Sequence, residues 1–345
     1  MLGNNSSGSR SIKYGSMIDN VLEITFIDGN GNKITLPKDK KISNRIFKNI
    51  KLDKKNIPKT SKNSSGYRID KITSEKNAHK IIIGSEGTLG IILTAKLKII
   101  DNPKSRILFI IEHNSIFEAA KNSIEINKTK PSTLEFVDKN TLKQIKFNFS
   151  KKAKCLLFVE YDENIKNSEK EIILKNSGKI IQKLTRNADM SKWWRHRDAS
   201  LHYSLQSIKK EKRVPHIIED AAVPVEKISN LFSALKKIEK KYKTKIISYG
   251  HIGNGNIHVR LIMEKNETKI IKKIATEYFD EIIENNGTIS AEHGDGLARS
   301  EFVKQLYGNK NFQIFKTIKQ QMDPNGILNP GKIISNKSTV IKNLK

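Results

Sequence analysis

Two β-α-β runs in succession, a period-two hairpin near the N-terminus and two long amphipathic helices towards the C-terminus predict an α+β fold. The 345 residues suffice for two ordinary domains, each with its own buried core. Residues 21–36, VLEITFIDGNGNKITL, alternate apolar and polar side chains about an Asp-Gly-Asn-Gly turn, which is a hairpin pattern. Residues 44–66 read as a helix giving way to a polar loop, and residues 80–83 as a strand entering the glycine turn of GSEGTLG. Asp101, Asn102 and Pro103 then break the chain, so the first domain is drawn over 1–102. Beyond it, strands are predicted at 106–112, 133–137, 155–161 and 180–184, with helices near 116–126 and 164–175. That rhythm is the one of a ferredoxin-like antiparallel sheet with helices on one face. A helix over 225–242 keeps Ile228, Leu231, Phe232, Leu235 and Ile238 at helical spacing, a stripe best read as core. A second helix over 268–285 leads to Gly287 as its C-cap and then to a strand carrying Glu292 and His293. The second domain is drawn over 103–335, and residues 336–345 read as a disordered basic tail.

The formal charge of +28 invites a nucleic-acid reading, but its distribution argues against one. Ten of the 64 basic residues are arginine, and the 54 lysines are spread over nearly every segment instead of gathering with aromatics. No specific nucleic-acid partner is expected, although an anionic substrate would benefit from the field. The single cysteine, Cys155, excludes a disulfide framework and a protein-bound iron-sulfur cluster, and fits a reducing compartment. No run of eighteen apolar residues is present, so no transmembrane segment is expected. The location expected is cytoplasmic or membrane-peripheral.

The chemistry concentrates in YGHIGNGNIH and AEHGDG. His251 and His258 lie seven apart, which in one unbroken strand would turn them to opposite faces. Gly253, Asn254 and Gly255 can supply the φ > 0 positions of a reversal that aims both imidazoles into one pocket. Glu292 completes a three-donor set of two imidazoles and a carboxylate for a divalent metal with an open position, and His293 remains as a base. Against this stands the ordinary reading of a lone histidine beside glycines, a turn residue with both ring nitrogens hydrogen-bonded.

GHIGNGNIH, AEHGDG and DPNGILNPGKII, preceded in order by NNSSGSRSIKYG and IIIGSEGTLGII, resemble segments of the FAD-linked 2-hydroxy-acid dehydrogenases of the vanillyl-alcohol oxidase superfamily. That family includes D-lactate dehydrogenase, the glycolate oxidase flavin subunit and D-2-hydroxyglutarate dehydrogenase. The resemblance covers almost the whole chain, with least support between Asp101 and Ser191. It implies a partial FAD-binding domain followed by a ferredoxin-like cap and substrate domain, with a C-terminal helical segment returning to the flavin. The implied reaction is oxidation of a D-lactate- or glycolate-like 2-hydroxy acid to the 2-oxo acid, by hydride transfer to FAD.

The site residues follow from the same matches. His251, His258 and Glu292 would hold the metal, zinc for preference, and His293 would take the hydroxyl proton. Arg197, in a tryptophan-x-x-arginine-acid signature with Trp194 and Asp198, would clamp the substrate carboxylate. Asn256 would be a substrate-facing amide, while Asn254 stands where the family usually has aspartate. Asn5, Ser7 and Gly8 would line the flavin. Gly84, Gly87 and Gly90 would make the turns of a segment in which Ser85, Glu86, Thr88 and Ile91 contact the cofactor, with Asn329 joining them from NPGKII. Ile218 stands where several members carry a lysine that grips a second carboxylate, which disfavours 2-hydroxyglutarate unless Lys212 or Arg213 substitutes. Met1 falls inside the family's GGN-type motif, so the pyrophosphate-binding subdomain is expected upstream and this chain alone is expected to bind FAD poorly. Expected partners are therefore an upstream-encoded FAD-binding half and an iron-sulfur or other electron-acceptor protein. The competing functional reading is a noncatalytic remnant or structural subunit that keeps the fold without flavin.

Overall fold

The computed structural model describes residues 1–163, 165, 168–200, 202–203, 212–264 and 268–335. The tail expected at 336–345 lies outside the described residues. The chain forms two compact units: Met1–Gly8, Gly15–Ile100 and the chain from Asn286 onward make unit 1, and Ser9–Tyr14 with Asp101–Asn285 make unit 2. Where the sequence reading kept 103–335 together, the segment from Asn286 is part of unit 1.

Unit 1 is built on a three-stranded antiparallel sheet in which β1 (Val21–Ile27) lies between β2 (Lys33–Leu36) and β3 (Ile91–Leu97). The first two strands are the predicted hairpin, and Ile24, Phe26, Ile34 and Leu36 form its buried face. Helix α1 (Lys40–Lys48) is capped by Asp39, whose carboxylate accepts the Ile42 N–H. No strand forms at residues 80–83. A 3-10 helix, Glu75–Ile81, runs into a turn there, and Ile81, Ile82 and Ile83 are all buried. A short apolar run is compatible with either element, and burial alone satisfies it. In the turn that follows, Gly84, Glu86 and Gly87 take left-handed φ values of 79°, 53° and 72°. Gly90, expected to turn as well, keeps an ordinary φ and is small for another reason: a Cβ there would sit 2.4 Å from the Phe26 ring. A C-terminal helix, Val303–Met322, buries Tyr307, Phe312 and Phe315, the last with its ring 5.3 Å from that of Tyr67.

Unit 2 carries a seven-stranded sheet. Its strands are β4 (Ile107–His113), β5 (Thr133–Asp138), β6 (Cys155–Tyr161), β7 (Lys179–Leu184), β8 (Lys212–Arg213), β9 (Lys245–His251) and β10 (Asn256–Glu264). They lie in the order β7-β4-β6-β5-β9-β10-β8, and every pairing is antiparallel. The first four, with crossovers through α2 (Ile116–Lys128) and α3 (Glu169–Asn176), form the predicted ferredoxin-like motif, which the β9–β10 hairpin extends past β5. Both faces are covered. Phe136 meets Phe232 of α5 (Ile228–Lys241) at 5.3 Å between rings, and the predicted stripe of that helix is buried. On the opposite face, Val137, Phe158 and Tyr249 pack with Met190 and Trp193 of α4 (Asn187–Asp198). The expectation of helices on one face is thereby corrected, and the reason is in the composition: ILFIIEH and CLLFVEY are nearly continuous apolar runs, as strands buried on both sides must be. Helix α6 (Thr268–Glu284) is followed by Asn286 in the left-handed region at φ 59°, a role expected of Gly287. Glu292 and His293 lie in a bend instead of a strand. No helix among the described residues is long and apolar enough to cross a membrane.

Candidate functional site

The β9–β10 hairpin solves the seven-residue spacing as the sequence required. His251 pairs with Asn256 and His258 with Tyr249, so Tyr249, His251, Asn256, His258 and Arg260 all project from one face. The reversal is a 3-10 turn over Ile252–Asn254 closed by Gly255 at φ 68°. Of the three residues expected to supply positive φ, Gly255 alone does. The two imidazoles are buried, with ring centroids 5.1 Å apart and planes at 81°. The buried carboxylate of Asp220 places Oδ1 3.7 Å from His258 Nδ1.

A residue that sequence reading missed stands behind this pair. Val137 pairs with Tyr249, so Glu135, two residues back on β5, shares the face of His251. Glu135 is fully buried, and its Oε1 lies 2.6 Å from His251 Nδ1. With Nδ1–H donated to a carboxylate, the ring is held in the tautomer whose lone pair is on Nε2, the arrangement common behind metal-bound histidines. The other oxygen, Oε2, accepts from Arg197 Nε at 2.8 Å and Nη2 at 2.5 Å. The guanidinium anticipated as a substrate clamp thus already engages a protein carboxylate, and its Nη2 is also 3.3 Å from His251 Nδ1. Asn256 is likewise engaged: its Nδ2 donates to the Ala221 carbonyl at 3.1 Å and lies 3.4 Å from Asp220 Oδ1. The Asn256 Oδ1, fully buried, has no hydrogen-bond partner among the described residues. Ile218 is buried, and Lys212 is ion-paired with Glu264.

In unit 1, Glu292 Oε1 accepts from Ser7 Oγ at 2.7 Å and from the ammonium of Lys62. That ammonium also reaches the Gly8 carbonyl at 3.4 Å. His293 follows Glu292 with its side chain exposed. Several residues expected to face the flavin brace this unit. Asn5 is buried, donating to the Asn63 carbonyl and accepting from the Ile18 N–H. The Glu86 carboxylate accepts from the Asp295 and Gly296 N–H groups at 2.6 and 2.9 Å, so it holds the EHGDG bend. Asn329 donates to the Glu86 carbonyl, Ser85 to that of Ile82, and Thr88 to that of Ser85. Ile91 is 59% exposed, and a Cβ added at Gly8 or Gly87 would meet nothing within 4 Å, so that backbone is open to close approach.

Burial, and then the neighbouring charge of Glu86, raises the Asp295 carboxyl to about 7, and burial raises Glu86 as well. A carboxyl raised in the folded state binds more protons than the unfolded chain between about pH 4 and that value, so stability falls as pH rises through this window. The urea midpoint is expected to drop from pH 5 to pH 8, and Asp295→Asn is expected to flatten that dependence. A variant with the wild-type slope would show that Asp295 does not titrate in this range.

Unit 2 thus carries a buried imidazole pair on one face of its sheet, and unit 1 a glycine-rich turn that leads into the third strand of its own sheet. Residues 102–333 match the model of the FAD linked oxidases, C-terminal domain, and the chain belongs to that family. Among curated proteins it is similar to the glycolate oxidase subunit GlcD of Bacillus subtilis, 28% identical over 97% of this chain and 67% of that protein. D-lactate dehydrogenase of Anaerostipes hadrus is 27% identical over 95% of this chain and 67% of its own length. D-2-hydroxyglutarate dehydrogenase of Haemophilus influenzae is 25% identical over 96% of this chain and 38% of its own length. Among solved structures, alkyldihydroxyacetonephosphate synthase superposes with a TM-score of 0.59 at 17% identity, over 96% of this chain and 57% of that one, a likeness of fold.

Proposed function

We propose that this chain carries the catalytic and substrate-binding residues of an FAD-dependent dehydrogenase that oxidises a D-lactate- or glycolate-like 2-hydroxy acid to the 2-oxo acid by hydride transfer to flavin, acting as a subunit. The observation that carries the reading is the buried His251–His258 pair, aligned on one face of β9–β10 with Glu135 bonded behind it. Two imidazoles, one already oriented by a carboxylate, suit a divalent metal, zinc for preference, with Glu292 as the further donor. Such an ion, when bound, lowers the pKa of a substrate hydroxyl. His293, exposed beside Glu292, takes the hydroxyl proton. Asn256 and Arg197 are assigned to the substrate side, Arg197 through its hold on Glu135 and His251. The flavin, which accepts the hydride when bound, would be held by Asn5, Ser7, Gly8, Gly84, Ser85, Glu86, Gly87, Thr88, Gly90, Ile91 and Asn329. A partner follows from the same reading: an iron-sulfur or other acceptor protein for the electrons. One relative is named as a subunit of glycolate oxidase, which supports the expectation of partner chains. The location proposed is cytoplasmic or membrane-peripheral.

A second reading, a noncatalytic chain that keeps the fold, is favoured by one observation: Glu292 is committed to Lys62. Co-expression with the upstream-encoded protein separates the two. The dehydrogenase reading expects a visible flavin band that bleaches on adding D-lactate or glycolate, and at least about 100-fold slower bleaching in His293→Ala. Absence of flavin from every combination would leave the noncatalytic reading.

A further inference from the structure

Arg260 is buried on the same face as His251 and His258, at 5% exposure, and no carboxylate of the described residues answers its charge. Its Nη2 donates to the Tyr249 hydroxyl at 3.1 Å, its Nη1 lies 3.1 Å from His216 Nδ1, and its carbon centre is 6.0 Å from the Tyr249 ring. Nε has no hydrogen-bond partner among the described residues. Elsewhere among the described residues, buried Arg68 is paired with Asp70 and part-buried Arg197 with Glu135. A guanidinium removed from water and met only by neutral acceptors is costly, and an arriving anion relieves that cost. Tyr249 stacks at 5.6 Å against His258, with which it pairs across the hairpin, so the fixed cation adjoins the imidazole pair.

We propose that Arg260 receives a carboxylate of the substrate. The planar fork is suited to two parallel N–H···O bonds, and the edge of Arg197 formed by Nε and Nη2 is already taken by Glu135. The assignment rests on the reading that this face holds the 2-hydroxy acid, and it supplies that reading with its anion-binding residue. The shared chemistry is a carboxylate, either the one beside the reacting hydroxyl or a distal one on a dicarboxylic acid.

The test is isothermal titration of the full chain, without turnover, with D-lactate and with D-2-hydroxyglutarate, for wild type, Arg260→Met and Arg260→Lys. A loss of about 100-fold in Arg260→Met and about 10-fold in Arg260→Lys is expected, since a lysine keeps the charge without the fork. A loss for both acids assigns the carboxylate beside the hydroxyl, and a loss for the dicarboxylate alone assigns the distal one. In the reconstituted enzyme the matching change is a raised KM with kcat within a few-fold. Unchanged affinity for both acids in Arg260→Met overturns the proposal. Should Arg260→Met not fold, Arg260→Lys decides in the same way, its unchanged affinity overturning the proposal. Arg260-dependent binding in a chain whose flavin never bleaches would reject the dehydrogenase reading and leave this one standing.

Discussion

Gly255→Ala is expected to lower unfolding stability by about 3 kcal/mol and to remove whatever function requires His251 and His258 on one face. Two causes act together. Gly255 sits at φ 68°, where an L side chain is strained, and a Cβ built there would lie 1.9 Å from the Val223 carbonyl oxygen. That oxygen belongs to backbone, so no rotamer change removes the clash. The Val223 N–H in turn donates to the Gly255 carbonyl at 3.1 Å, and the Gly255 N–H closes the turn on Ile252 at 2.9 Å. Relief therefore requires the turn to move, and the residues it displaces are Asn256, His258 and Arg260, whose side chains alternate onto the site face. Gly255→Asn separates the causes, because asparagine tolerates the left-handed region but carries the same Cβ. Both variants should lose stability, alanine slightly more. A urea midpoint of Gly255→Asn equal to wild type would mean that the Val223 contact is not as close as described, and equality for both would discard the turn geometry altogether.

How much of this site could be read in the sequence depends on how local each feature is. The hairpin was legible because strand alternation and a glycine-rich reversal act within ten residues, and together they dictate that His251 and His258 share a face. Glu135 was not. It meets His251 across 116 positions of sequence through the pairing of β5 with β9, and nothing in STLEFVD states that register. A carboxylate in an otherwise apolar strand was the available signal, since a fully buried glutamate needs partners. Arg197 was found by its motif, while its engagement with Glu135 is a tertiary fact. Arg260 was hidden by company, one cation among 64, and only burial without a carboxylate distinguishes it. The strand expected at 80–83, which does not form, has the opposite cause: three successive isoleucines report burial but carry no period.

Lys62→Met is expected to cost about 3–5 kcal/mol of stability, the range for breaking a buried ion pair from one side. The Lys62 side chain is 1% exposed and that of Glu292 11%, so neither charge can be handed to water without rearrangement. Ser7 Oγ holds the same carboxylate oxygen at 2.7 Å, and the ammonium reaches the Gly8 carbonyl at 3.4 Å. One buried lysine therefore ties the segment that carries Ser7 and Gly8 to the segment that carries Glu292 and His293. Methionine fills similar volume and supplies no charge, leaving Glu292 to protonate or to draw in solvent. The double variant Lys62→Met, Glu292→Gln removes both charges, and replacing a buried pair as a whole is often close to neutral. It should recover most of the loss, giving a coupling energy of more than about 2 kcal/mol in a double-mutant cycle. If the two single losses simply add, the pair contributes nothing as a pair, and Lys62 acts through packing alone. Recovery in the double variant would instead identify Lys62 as the charge that allows a carboxylate to be kept buried beside His293, at the position where the proposed chemistry needs one.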